Sequence, residues 1–240
     1  MLPHPLHTIL FLDIETVSQY PTFDEVPDDW KSLWRNKADV LLRDKQPLTP
    51  EDIYGRAAIY AEFGKIICIS CGVLSGRGTE KKLMLKSFHG DDERVLLNEF
   101  SEMLRKWSAD GQKFLCAHNG KEFDFPYLCR RMLIHGMAIP SMLHLSGKKP
   151  WEIPHIDTME LWKFGEYKSF VSLNLLAHTL GIPTPKDDID GSQVGEVYWT
   201  QRDLARIVTY CQKDVVTVAQ VYLRMTGEPL VRSENIELKS

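Results

Sequence analysis

The sequence predicts an α/β fold, a mixed five-stranded sheet flanked by helices, and three observations predict it. Apolar runs of strand length alternate along the 240 residues with longer stretches whose apolar positions recur at helical spacing. Two of the runs, 65–74 and 81–88, are joined by a short Gly-containing turn at 75–79, so they pair antiparallel. Near the C-terminus, Leu204, Ile207, Val208, Cys211, Val215, Val218 and Tyr222 form one apolar stripe, which marks a long helix over 201–225. The length suits a single domain over residues 1–227, with a helical insertion at 18–63 and a polar tail at 228–240 expected to fray.

Each element has its own signal. Residues 8–17 are rich in Ile, Leu, Phe and Val with no Gly or Pro, and read as a buried central strand. A polar, proline-punctuated stretch at 18–27 leads to a helix at 28–43. Thr49-Pro50-Glu51-Asp52 resembles a capping box with Pro at the first helical position, opening a helix toward Phe63. After the two paired strands, residues 92–107 are amphipathic and helical. The strand 113–117 ends in an Asn119-Gly120 turn, and a helix starts near 123–126, where Pro126 is tolerated in the first turn. Residues 155–161 read as the last strand, and 173–180 as a helix ending at Gly181.

Composition narrows the function classes. Apolar and charged fractions are ordinary, no apolar run is long enough to span a membrane, and the first residues lack the shape of a secretion signal. Five cysteines, an odd number, point to a reducing cytoplasmic setting. Cys68 and Cys71 form a C-x-x-C inside a strand, where positions three apart face opposite sides, and no second pair completes a zinc site. In the segment 181–194, Asp188, Asp190 and Gly191 suggest a calcium loop, but Lys186 and Val197 stand at its first and last ligand positions, which excludes it. The net charge of −4 argues against a protein that coats long nucleic acid, although Arg130-Arg131, Lys148-Lys149 and the 31–45 stretch are local basic clusters.

Three separated segments concentrate carboxylates. On the first strand, alternation sends Asp13 and Glu15 to one face while Leu12 and Ile14 pack on the other. The two acids are then roughly 6–7 Å apart at the backbone, close enough for their oxygens to converge on one hard cation. Without a cation, two anions on an apolar strand are costly to desolvate and repel each other. Asp124, in AHNGKEFDFPYL, falls at a helix N-terminus, where a lone Asp would ordinarily be a cap. Tyr210 and Asp214 are four apart on the last helix, hence stacked on one face beside its apolar stripe.

Four carboxylates and a tyrosine, in these contexts and this order, resemble the three exonuclease motifs of the DEDD superfamily of 3′→5′ exonucleases. Tyr rather than His before the last Asp matches the tyrosine-containing branch, with Thr at position 209. The strings NGKEFDFPYL and SLNLLAHTLGI are most similar to the proofreading domain of family B DNA polymerases and its stand-alone relatives. The chain is too short to contain a polymerase as well. The resemblance implies an RNase H-like fold and hydrolysis from the 3′ end of single-stranded DNA, releasing nucleoside 5′-monophosphates. It implies two divalent cations, Mg²⁺ or Mn²⁺ given all-oxygen ligation. One would be held by Asp13, Glu15 and Asp214, the other by Asp13 with water-mediated help from Asp124, and Tyr210 would orient the attacking water. Thr16, Asn119 and Phe123 are candidates for holding the terminal nucleotide, Phe123 by stacking. An RNA-trimming enzyme of the same chemistry, a non-catalytic binding module of the same fold, and a role beside replication or repair partners are the remaining expectations.

Overall fold

The computed structural model describes residues 4–42, 48–166, 169–183 and 189–239. Arg43 and Lys45, and Lys186 and Asp188 of the excluded calcium pattern, lie outside these residues. The strands are β1 (Ile9–Ser18), β2 (Gly64–Ser75), β3 (Lys82–His89), β4 (Phe114–Ala117), β5 (Ile156–Asp157) and β6 (Ile236–Leu238). They form one sheet in the order β5-β4-β1-β2-β3-β6. β1 is central, antiparallel to β2 and parallel to β4, so the sheet is mixed as expected, with six strands instead of five. The helices are α1 (Asp28–Leu42), α2 (Glu93–Trp107), α3 (Asp124–Ile134), α4 (Thr158–Lys163), α5 (Leu173–Thr179), α6 (Val194–Glu196) and α7 (Leu204–Met225).

β1 is apolar on both faces because both are covered. Leu10, Leu12 and Ile14 pack into a cluster with Leu96, Phe100 and Leu104 of α2 and Phe125, Leu128 and Met132 of α3. Ile9 and Phe11 point the other way, against Val215, Val218 and Tyr222 of α7. The period-two alternation carries Asp13 and Glu15 onto this second face, at the edge of α7. Cys71 belongs to the first cluster and Cys68 packs with Cys211 on the other side, so the C-x-x-C supplies core thiols on opposite faces.

Three expectations need correction. The strand predicted at 155–161 is only two residues long. Asp157 ends it by accepting the Met159 N–H at 2.9 Å as the N-cap of α4, so the chain turns helical at Thr158. The box at Thr49 closes as expected, with Asp52 accepting from the Thr49 N–H and hydroxyl at 2.8 and 2.7 Å. It opens turns and a 3₁₀ segment, Tyr54–Ile59, instead of an α-helix. Carbonyls that a helix would use are taken by tertiary donors: Ala58 O by the Tyr127 hydroxyl and Ala61 O by Arg131, each at 2.8 Å.

The third correction is the tail, which joins the sheet. β6 pairs parallel with β3, buried Lys81 bridges Glu228 at 2.8 Å, and the Gln220 side-chain amide bonds both backbone groups of Val231.

A buried ion pair locks the layers together beside the site. Glu93, the first residue of α2, accepts from Arg131 of α3 and from the Ile66 N–H at 2.7 Å. Half of the Arg130-Arg131 basic cluster is therefore a core residue. Removing either partner strands a buried charge, at a cost of about 3–5 kcal/mol. In the insertion, Trp34 is fully buried among Phe23, Tyr54 and Phe63, with its indole N–H on Pro50 O at 2.8 Å.

Candidate functional site

The site is built where β1 passes the N-terminal half of α7. Pairing between β1 and β2 is regular from Leu10 to Glu15 and then slips. Glu15 opposes Cys68 but Thr16 opposes Ile66, leaving Ile67 as the extra residue of a bulge. Such a bulge bends and twists the strand. Here it falls beside Glu15 and ends the regular ladder where the carboxylates face α7. The Glu93 contact to Ile66 N–H fixes the bulge from behind.

Asp124 arrives from the other layer. It sits in the first turn of α3, is 4 % exposed, and its carboxylate accepts backbone hydrogen bonds from its own N–H and from that of Ile14, the residue between the two strand acids. The helix terminus is thereby tied to β1. Gly120 permits this approach, because a Cβ there would lie 2.4 Å from the Ala117 Cβ and 3.0 Å from the Phe125 ring. Tyr210 and Asp214 stack one turn apart on α7, and the Tyr210 hydroxyl bonds to the Asp214 carboxylate.

The electrostatics register the crowding. Asp13 titrates well above the usual carboxylate range, first from burial and then from the charges of Glu15, Asp214 and Asp124. Glu15, 7 % exposed, is raised by burial, then by Asp214, Cys68 and Asp124. Burial pushes Asp124 up to about 7; the charges of Asp157 and Asp214 add to the rise, while its backbone bonds oppose it. Tyr210 is raised by burial and by Asp214, Glu15 and Asp13, so it remains a protonated phenol that can donate. All four sequence-predicted carboxylates therefore feel one another, though they come from three segments.

The donor set has one unforeseen member. Asp13, Glu15 and Cys211 each place a ligand atom within 4.8 Å of the other two. Asp124 and Asp214 stand outside that triple and join it through charge. The Cys211 Sγ lies 3.4 Å from Asp13 Oδ2, and burial holds the thiol well above its ordinary range, with Cys68, Asp13 and Glu15 adding to the rise. The protonated thiol donates to Asp13, and the other donors of the cluster are carboxylate oxygens. Clustered, largely buried carboxylates whose charges raise their neighbours' pKa fit a hard divalent cation.

The candidate nucleotide contacts fare unevenly. Asn119 has left-handed backbone (φ 61°) and its side-chain Oδ1 is buried without a hydrogen-bond partner among the described residues. Thr16 is half-buried and its hydroxyl engages Tyr127. The Phe123 ring rests 5.4 Å from that of Tyr127 and packs on the core, so only part of it is free to stack.

Asp157 was missed. It accepts from the N–H groups of Asn119 at 2.9 Å and Lys121 at 3.1 Å and so clamps the loop before Asp124. Its signal was present in the sequence, since HIDTMEL reads equally well as an N-cap opening a helix.

Comparison with known proteins bears on the family and the fold. A family model described as "Predicted 3'-5' exonuclease related to the exonuclease domain of PolB" matches residues 59–231. The matched segment includes Asp124, Tyr210 and Asp214 and begins after β1 with Asp13 and Glu15. A DNA polymerase of Pyrococcus glycovorans is 22 % identical over 161 residues, which is 58 % of this chain and 20 % of that protein. The structure of the family B DNA polymerase of Pyrobaculum calidifontis aligns over 93 % of this chain and 25 % of that one, with a TM-score of 0.51 and 17 % identity, and supports the RNase H-like fold. The chain thus spans a quarter or less of the polymerases it matches, and among the described residues no helix is long and apolar enough to cross a membrane. It belongs to the family of predicted 3′–5′ exonucleases related to the exonuclease domain of family B DNA polymerases.

Proposed function

We propose that this chain hydrolyses single-stranded DNA from its 3′ end and releases nucleoside 5′-monophosphates, with Asp13, Glu15, Asp124, Asp214 and Tyr210 as the working set. The observation that carries the reading is the convergence of carboxylates from β1, α3 and α7: burial raises Asp13, Glu15 and Asp124, and the charge of Asp214 adds to the rise of all three. Such a cluster is unfavourable to fold around unless a cation neutralises it. We assign Asp13, Glu15 and Asp214 to one divalent ion, Mg²⁺ or Mn²⁺, and Asp13 with Asp124 to a second. Bound there, the ions would acidify a water and neutralise charge developing on the departing 3′ oxygen.

The chain's own groups would do the rest. Tyr210, protonated and bonded to Asp214, offers a hydroxyl to orient the attacking water. Cys211 fixes the Asp13 carboxylate from behind. Asn119, whose backbone N–H is held by Asp157, would meet the terminal nucleotide once its buried, unpartnered amide oxygen is uncovered.

The test is digestion of 3′- and 5′-labelled single strands of DNA and RNA, with Mn²⁺ or EDTA, beside a circular single-stranded DNA. Stepwise mononucleotide release from linear DNA with an intact circle supports the reading. Preference for RNA would make the enzyme an exoribonuclease, and cutting of the circle would make it an endonuclease.

A further inference from the structure

Beyond the C-terminal end of β1 lies a second cluster, basic and aromatic, that the carboxylate chemistry does not use. The three-residue α6 runs on as a π-helix, Val197–Gln201, a rare element that recurs at functional sites. Its Trp199 donates the indole N–H to Ser18 O at 3.3 Å, which pins the ring to the end of the strand that bears Asp13 and Glu15. Ser18 is three residues past Glu15 on β1, Lys65 pairs with Val17 on the neighbouring strand, and Trp199 packs on the same apolar cluster as Tyr210. Two cations flank it, Lys65 Nζ at 5.0 Å and the Arg202 guanidinium at 5.5 Å from the ring centre. Lys65 is held by the Tyr198 hydroxyl at 2.9 Å, which itself donates to Asp91 at 2.7 Å.

Arg202 is the informative residue. It caps the π-helix in the left-handed region, φ 56° and ψ 33°, where glycine or asparagine would sit without strain. It is exposed and forms no salt bridge with any described residue. In a chain of net charge −4, a strained, solvent-facing arginine with no acid of its own, set against the Trp199 ring past the end of β1, is suited to an anion from outside.

Building on the exonuclease reading, we infer that Arg202 and Lys65, braced by Trp199, hold the phosphodiester backbone of the single strand as it enters the site. The contact would lie upstream of the terminal nucleotide, reading charge and not base. A few backbone contacts at the strand entrance reconcile an acidic protein with a polyanionic substrate.

The test uses Arg202→Gly, which removes the guanidinium and relieves the backbone at once. Binding of a fluorescent oligothymidylate is followed by anisotropy in EDTA, so the readout does not depend on turnover. The expected result is an affinity about 3- to 5-fold weaker, with the log–log salt slope shallower by about 0.7. The melting temperature should hold or rise. Hydrolysis of the p-nitrophenyl ester of thymidine 5′-monophosphate, which has no upstream phosphate, should be unchanged. Unaltered affinity and salt slope would overturn the inference, as would a fall in melting temperature with parallel losses on both substrates. A wild-type protein that binds the oligomer but turns over neither substrate would sink the exonuclease reading and leave the binding result standing.

Discussion

Asp124→Asn should make the metal-free protein more stable at pH 8 while abolishing its nuclease activity. The carboxylate titrates at about 7 against an ordinary 3.8, a rise of about 3 units, because it is buried and faces other acids. At 1.36 kcal/mol per unit, the ionised form costs the fold about 4 kcal/mol relative to the protonated one. The sign follows from proton linkage. A carboxyl whose folded pKa is raised binds its proton more tightly when folded, so stability is lowest above pH 7 and recovers as pH falls toward 4. An amide carries no charge but accepts the Ile14 N–H less well and brings an NH₂ group of its own, which reduces the gain to about 1–3 kcal/mol. Urea denaturation in EDTA at pH 8 and pH 5 measures it. The variant should exceed wild type at pH 8, and the two should converge at pH 5, where wild-type Asp124 is itself protonated. An advantage independent of pH, or a variant less stable at pH 8, would refute the electrostatic account of the cluster.

Asp13→Ala should abolish hydrolysis with the fold intact, since it removes the carboxylate assigned to both ions and relieves repulsion; circular dichroism and single-turnover digestion check the two halves. Tyr210→Phe should slow the chemical step by about 10- to 1000-fold with metal affinity little changed, because the ring still packs on the cluster that holds Val17 and Ile67; single-turnover rates decide it. Asp157→Ala should lower stability by about 2–4 kcal/mol and raise KM, because three N–H groups, the buried one of Met159 and the partly buried ones of Asn119 and Lys121, lose their acceptor.

The parts of the site legible in the sequence are those governed by local periodicity. Strand alternation puts Asp13 and Glu15 on one face, and the four-residue helical repeat stacks Tyr210 on Asp214. Asp124 was legible through its neighbours NGKEFDFPYL, since its position alone describes any cap. What escaped depends on contacts between distant segments. The three-residue β6 is too short to announce itself, and the segment before it is held by Lys81–Glu228, a pair far apart in the chain, and by Gln220–Val231 across the turn after α7. Asp157 was read as part of a strand because IDTMEL is apolar enough for either period. Cys211 was assigned to the helix stripe, where it belongs, and nothing local reveals that Asp13 lies 3.4 Å from its sulfur. The bulge at Ile67 and the π-helix at Val197–Gln201 have no compositional mark; each arises where the chain accommodates its neighbours.

The central claim, that three separated segments form one cation site, is tested most directly by counting Mn²⁺ bound per chain by electron paramagnetic resonance. Wild-type protein should bind two ions. Asp13→Ala should lose both or weaken both at least tenfold, because its carboxylate is the shared one. Asp124→Asn should weaken only one, and Asp52→Ala, on an exposed turn far from β1 in sequence, should change nothing. Two ions bound with unchanged affinity by Asp13→Ala would contradict the site.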